Sequence, residues 1–366
     1  MPPGGPIDTE GPRVIAFSPD SGRVNVKPPA VIFKFDEVVS ERPAGAAGLD
    51  ALFLISPRDG VPNVAWHRGE VAVKPRRGWK SNTAYTVTLL PGITDLRGNV
   101  RNTGKITIFS TGPEIPKSRV IGTVFNWITG SVAQRALVEA RPITDTTVVF
   151  VAAADSTGSF IFPNLPPGRY RLRGLIDENN NKGLDQREPW DTTTVALTDS
   201  ARVELMAFAH DSVAPRLTDV VMRDAATLEL LFDRAIDPKQ RFTPASIEMK
   251  RSDSTVIPIL AVEQGGGRRD SAAFAAGPAP SRGIPSTSLI ARLGVAIREA
   301  TTMRVRAIGI RSLDGVAKTT EKVATVDPNP PEKTPPPRTP AGVAAPTRPP
   351  PPPPPTPPPA SPARVR

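Results

Sequence analysis

One stretch of this chain carries oxygen-bearing side chains at a spacing that suits a cation. It reads Asp177-Glu178-Asn179-Asn180-Asn181-Lys182-Gly183-Leu184-Asp185-Gln186-Arg187-Glu188. Asp177, Asn179, Asn181, Asp185 and Glu188 fall at the first, third, fifth, ninth and twelfth places of that loop. Calcium takes about six to eight oxygens, and a loop of alternating acids and amides can wrap them around it. Calcium is therefore the candidate ligand, held weakly because Asn179 and Asn181 are neutral. Where a calcium loop turns on glycine this one has Lys182, with Gly183 one place later, and no flanking helices are written. The competing reading is an Asx-rich turn, whose side chains bond their own backbone and need no ion.

The remaining chemistry is sparse. Cysteine is absent, which excludes disulfides, thiolate metal sites and cysteine nucleophiles. The two histidines, His67 and His210, neighbour no acid or nucleophile motif that would complete a triad. No nucleophile elbow, zincin helix or Walker loop is written. Asp36-Glu37 and Asp233 with Asp237 pair carboxylates, but acids at a strand end more often cap a turn than serve glycoside hydrolysis. The run Lys74-Pro75-Arg76-Arg77-Gly78-Trp79-Lys80 reads either as a phosphate patch with a stacking Trp79 or as a solvated loop between strands. Gly265-Gly266-Gly267 leads into no helix start, so it is not a phosphate cradle. On these grounds the expectation is that the chain is not an enzyme, holds no organic cofactor and does not bind nucleic acid.

The elements that must carry these residues are strands. At 366 residues the chain has room for two or three domains. Hydrophobic residues make up 39% and aromatic residues only 5%, so small cores of Val, Ile, Leu and Ala fit better than one large core. Prolines number 45 and glycines 28, which disfavours long helices. Period-two alternation marks half-buried strands at Val31–Phe35, Tyr85–Leu89 and Lys105–Ser110, and again at Val120–Val124, Val148–Val151, Ser159–Phe162, Tyr170–Arg173 and Ala201–Leu205. In Arg169-Tyr170-Arg171-Leu172-Arg173 the arginines share one face, which predicts a sheet with a wet basic side. The expected class is all-β: three β-sandwich modules in series with a disordered, Pro-rich C-terminal tail. The expected divisions are a leader at 1–10, modules at 11–112, 118–211 and 212–327, and the tail at 328–366. The tail reads as a polyproline II spacer. The Gly-, Ala- and Arg-rich stretch from Gln264 to Pro285 reads as a long loop that has displaced strand text from the third module.

The third module repeats the opening of the first. Gly11-Pro12-Arg13-Val14 and Phe33-Lys34-Phe35-Asp36 correspond to Ala214-Pro215-Arg216-Leu217 and Leu230-Leu231-Phe232-Asp233. With Ser81-Asn82-Thr83-Ala84-Tyr85 and Asp95-Leu96-Arg97-Gly98-Asn99, the first module resembles the bacterial Ig-like domain of the S-layer (SbsA) type. The third resembles a divergent copy. The second, on Asp155-Ser156-Thr157-Gly158-Ser159-Phe160 and Leu165-Pro166-Pro167-Gly168-Arg169-Tyr170, is similar to the carboxypeptidase-regulatory-like or transthyretin-like sandwich.

The resemblance implies a non-enzymatic structural or interaction protein of the bacterial envelope, with modules acting as spacers or binding surfaces. It also implies envelope proteins or glycans as partners, and a lipid anchor if a cysteine lies upstream. No stretch approaches the roughly 20 apolar residues of a membrane span. Met1-Pro2-Pro3-Gly4-Gly5-Pro6 lacks the basic start and apolar run of a signal peptide, so no export signal is visible. The alternative is a carbohydrate- or protein-binding adhesin anchored by Trp66, Trp79, Trp127 and Trp190.

Overall fold

The computed structural model describes residues 8–44, 46–266 and 280–328, and the fold is all-β. The Pro-rich tail from 329 and most of the Gly/Arg-rich stretch, 267–279, lie outside the described residues. The first sandwich is built from β1 (Val14–Ser18), β2 (Val31–Phe35), β3 (Phe53–Ser56), β4 (Asn63–His67), β5 (Glu70–Lys74), β6 (Ala84–Leu89) and β7 (Lys105–Ser110). The second uses β8 (Arg119–Asn126), β9 (Ser131–Val132), β10 (Leu137–Pro142), β11 (Phe150–Ala153), β12 (Ser159–Phe162), β13 (Gly168–Leu175), β14 (Trp190–Leu197) and β15 (Ser200–Ala207). The third uses β16 (Leu217–Asp224), β17 (Thr227–Phe232), β18 (Ile247–Arg251), β19 (Ile259–Gln264), β20 (Ser288–Leu293), β21 (Thr301–Arg311) and β22 (Ala317–Val326).

The first and third sandwiches share one topology. Sheets β1-β2-β5-β4 and β3-β6-β7 in the first recur as β16-β17-β20-β19 and β18-β21-β22 in the third. The middle sandwich differs: sheets β11-β10-β13-β14 and β12-β8-β15, with β15 parallel to β8. The expected loss of strand text from the third module is corrected here. All seven strands are present, because β19 and β20 flank the Gly/Arg-rich stretch rather than being replaced by it.

Alternation explains the cores. Val31, Phe33 and Phe35 bury against Val71, Val73, Phe53, Val87 and Phe109, while Lys34 on the opposite face pairs with Glu70. Tyr170 and Leu172 point into the second core and Arg169 and Arg171 point out. The repeated Pro-Arg…Asp text is a clamp that fastens each module's first strand. Arg13 N–H donates to Asp36 at 2.7 Å and Asp36 N–H returns to Arg13 O at 3.1 Å. Arg216 and Asp233 do the same at 2.9 and 3.0 Å. The turn Asp155–Ser159 closes on the Asp155 carboxylate, which accepts from Thr157 and Ser159 N–H at 2.8 and 3.1 Å. Gly158 there has φ +73° and a Cβ would sit 2.9 Å from Val124 O, so only glycine fits.

Candidate functional site

The Asp177–Glu188 loop follows β13 and lies against the first module. Asp177 Oδ1 and Oδ2 accept Asn181 and Lys182 N–H at 3.1 and 2.7 Å. Glu188, buried, accepts Glu178 and Asp185 N–H at 3.1 and 2.9 Å. The Asn179 and Asn181 amide groups both donate to Asp185 Oδ2, at 2.5 and 2.8 Å. The loop is thus closed by its own hydrogen bonds. A calcium ion would have to share the carboxylate lone pairs with these donors. It would also need both amides turned over, which sets oxygens against Asp185 in a way only a cation holds.

Lys182, where a calcium loop would place glycine, has φ +58°. That turn sends its ammonium to Asp50 O and Phe53 O of the first module, both at 3.0 Å. Burial pulls its pKa down to about 8, against opposing pulls from Asp50 and Asp177. Beside it, Arg58 of the first module donates to Lys182 O at 2.6 Å and approaches Glu139 at 3.7 Å. Glu139 on β10 is buried and also meets Arg141 at 3.2 Å and Arg173 at 2.6 Å. Three guanidinium groups therefore surround one carboxylate.

Beneath this polar layer is an apolar one. Leu54 of β3 packs with Leu137, Val151 and Leu175 of the middle module in a cluster separate from either core. The exposed edges of β3 and β11 close on each other: Val151 N–H donates to Ser56 Oγ at 3.0 Å and Arg58 N–H to Val149 O at 2.7 Å. Covering edges in this way removes pairing templates for other chains. This junction was missed from the sequence, although a signal existed. Phe53–Ser56 and Leu137–Ala140 are buried on both faces, and their text is continuous rather than alternating.

The middle and third modules meet around His210. Its ring stacks on Trp190 with centroids 3.9 Å apart and lies 4.0 Å from Phe208. Nδ1 faces Asp314 at 2.5 Å and Nε2 faces the Trp190 carbonyl at 3.0 Å. Both ring nitrogens face oxygen atoms of the protein. Asp314 Oδ2 also accepts Asp211 N–H at 3.0 Å. His210 is thus engaged in a joint and offers no nitrogen to a nucleophile. His67 is exposed at the end of β4.

The other predicted residues fare differently. Trp79 is corrected. It is neither a stacking platform nor part of a solvated loop, but lies 7% exposed in the first core, edge-on to Tyr85 and Phe109. The chain turns at Gly78, φ +85°, and drives the indole inward. Trp66 Nε1 donates to Val39 O, and Trp127 Nε1 to Gly283 O, so both are anchored within the protein. Among the described residues, one acidic group gathers ligand atoms within 4.8 Å: Asp8, Glu37 and Asp95. Burial and the neighbouring Asp8 and Asp95 charges push the Glu37 carboxyl up. Burial also acts upward on Asp95, but N–H and amide donors from Asn99 and Arg97 outweigh it and hold that carboxyl low. At the matching places of the third module stand Asp211, Arg234 and Ser312, and Arg234 pairs with Asp211.

Residues 8–111 match the family model described as a bacterial Ig-like domain. No curated protein matches the sequence. Among similar solved structures is the N-terminal part of the bacterial S-layer protein SbsC, 15% identical, covering 30% of this chain and 23% of that one with a TM-score of 0.22. A DUF3823 family protein from Parabacteroides merdae is 13% identical, covering 58% of this chain and 100% of that one at a TM-score of 0.21. BcpA, the major pilin subunit of Bacillus cereus, is 10% identical, covering 58% and 69% at a TM-score of 0.20. The chain spans about a quarter of the S-layer fragment it resembles.

Proposed function

We propose that this chain, whose first module is a bacterial Ig-like domain, is a non-enzymatic structural and interaction protein of the bacterial cell envelope. Its sandwiches act as spacers and as surfaces for envelope proteins or glycans. The observation that carries this reading is the use made of the polar groups best suited to chemistry. Lys182, Glu139 and Arg58 join the first module to the second, and His210 with Asp314 joins the second to the third. Charged and aromatic groups invested in fixing modules suit a protein whose task is to hold shape and present faces. The adhesin reading by way of tryptophan anchors has less support, because Trp79 is buried and Trp66 and Trp127 bond inside the protein.

Fractionation of cells carrying the natural gene, with immunoblotting of each fraction, tests the proposal. Recovery with the envelope or the cell surface is expected. Recovery with cytosolic protein alone would overturn it.

A further inference from the structure

Docking of the first two modules brings together two basic segments that are far apart in sequence. On the middle module, the outer face of sheet β11-β10-β13-β14 divides into two zones. Its upper end is apolar and covered by Leu54. Below that, Glu139 stands opposite Arg173, and Arg141 opposite Arg171. On the next strand Thr192 lies opposite Arg173 and Thr194 opposite Arg171. Arg169 and Arg171 are exposed, and neither has a carboxylate partner among the described residues.

The first module contributes the other segment. Asp59, next to Arg58, accepts the N–H groups of Arg76 and Arg77 at 3.1 and 2.8 Å, leaving both guanidinium groups exposed. Lys80 stands close enough to Asp145, in the loop after β10, to help hold that carboxyl low, behind the larger effect of Thr147. Arg58, next to Asp59, reaches Glu139 at 3.7 Å, and Glu139 meets Arg141 and Arg173, so the loop of arginines borders the arginine rows. The acids along this border are already engaged: Asp59 by two N–H groups, Asp145 by Thr147, and Glu139 by three arginines.

We infer that this continuous basic face is a docking surface for an extended anionic polysaccharide, one bearing carboxylate or phosphate groups. Charge complementarity chooses the sign of the partner. Shape chooses its extent, because a sheet face presents rows rather than a cleft. Arginines two apart on β13 repeat at about 6.7 Å, so a polymer lying along the strand meets successive guanidinium groups. Threonine hydroxyls beside each row suit sugar hydroxyls. Among the described residues the arginine rows carry no free aromatic ring of the kind on which single-stranded nucleic acids stack: Tyr170, Phe150 and Trp79 are buried inward, and Trp190, at the apolar end of the face, is stacked on His210. This goes beyond the envelope proposal and does not depend on it, because binding in solution is independent of where the protein resides.

The test uses the full chain and polygalacturonate as probe, with neutral dextran, single-stranded DNA and anionic phosphatidylglycerol vesicles alongside. Saturable binding to polygalacturonate at 50 mM salt is expected, weakened by 500 mM salt. Arg169→Glu with Arg171→Glu, and separately Arg76→Glu with Arg77→Glu, should each weaken it by about tenfold or more. These side chains are exposed, so melting should be unchanged. Arg298→Glu with Arg304→Glu, the same charge change on the third module, should leave binding intact. The inference is overturned by no binding at low salt, by equal affinity for dextran, or by tighter binding of DNA or vesicles. It is equally overturned if the Arg298/Arg304 variant weakens binding as much as the others, since net charge alone would then suffice.

Discussion

Asp177 and Lys182 show how one loop can read two ways. The acids and amides at alternate places were legible as oxygen donors, and both calcium and a self-bonded turn follow from that text. What the sequence did not show was the destination of Lys182, whose acceptors lie 132 and 129 residues earlier in the chain. Removing the Asp177 carboxylate strands the Lys182 N–H and leaves the Asn181 N–H with Asn179 Oδ1 alone, so Asp177→Ala should cost about 1–2 kcal/mol in urea unfolding without added calcium. Because the loop closes unaided, millimolar calcium should leave the melting temperature of the wild type unchanged. A rise of several degrees, absent in Asp177→Ala, would instead mean that the amides turn over to hold the ion. Lys182 adds a pH signature. Its pKa falls from the ordinary 10.5 to about 8 on folding, so the unfolded chain binds the extra proton between those values. Below about 8 the buried charge is a penalty, released as pH rises from 8 toward 10.5. Wild type should therefore gain stability relative to Lys182→Met over that window, by about 3 kcal/mol at most. A parallel pair of stability curves would contradict the burial.

At the scale of elements, alternation made the half-buried strands visible. β2, β6, β7, β12 and β13 stand where apolar and polar residues take turns. Strands buried on both sides, β3 and β10, have no such rhythm and were not picked out. The repeated Pro-Arg…Asp text was visible as a repeat, but its meaning as a strand clamp needed the paired N–H donors of Arg13 and Arg216. Comparison of the two copies also explains Asp314. It occupies the place of Arg97 in the first module's turn, and in the third module it grips His210 and Asp211. Asp314→Ala removes the acceptor of a charge-assisted bond and of a backbone N–H, at about 1–3 kcal/mol. Limited proteolysis should then cut faster between residues 207 and 217 while both flanking sandwiches survive. Unchanged cleavage there would mean the His210 contact does not hold the joint.

At the scale of the molecule, the first two sandwiches form one unit. Each covers the other's sheet edge, and a small apolar cluster lies under the buried Glu139 and its three half-buried arginines. The basic face exists only if that docking persists. Leu54 is the residue on which to test it, because it points out of the first module's core and into the second module's cluster. Placing a charge there should separate the modules while leaving each folded. The direct measurement is amide hydrogen exchange by mass spectrometry on the full chain, wild type against Leu54→Arg. Segment 149–153 and the loop around Lys182, both in the second module, are expected to lose protection, while β5 and β6 keep theirs. Unaltered exchange in 149–153 would show that the two sandwiches do not hold each other.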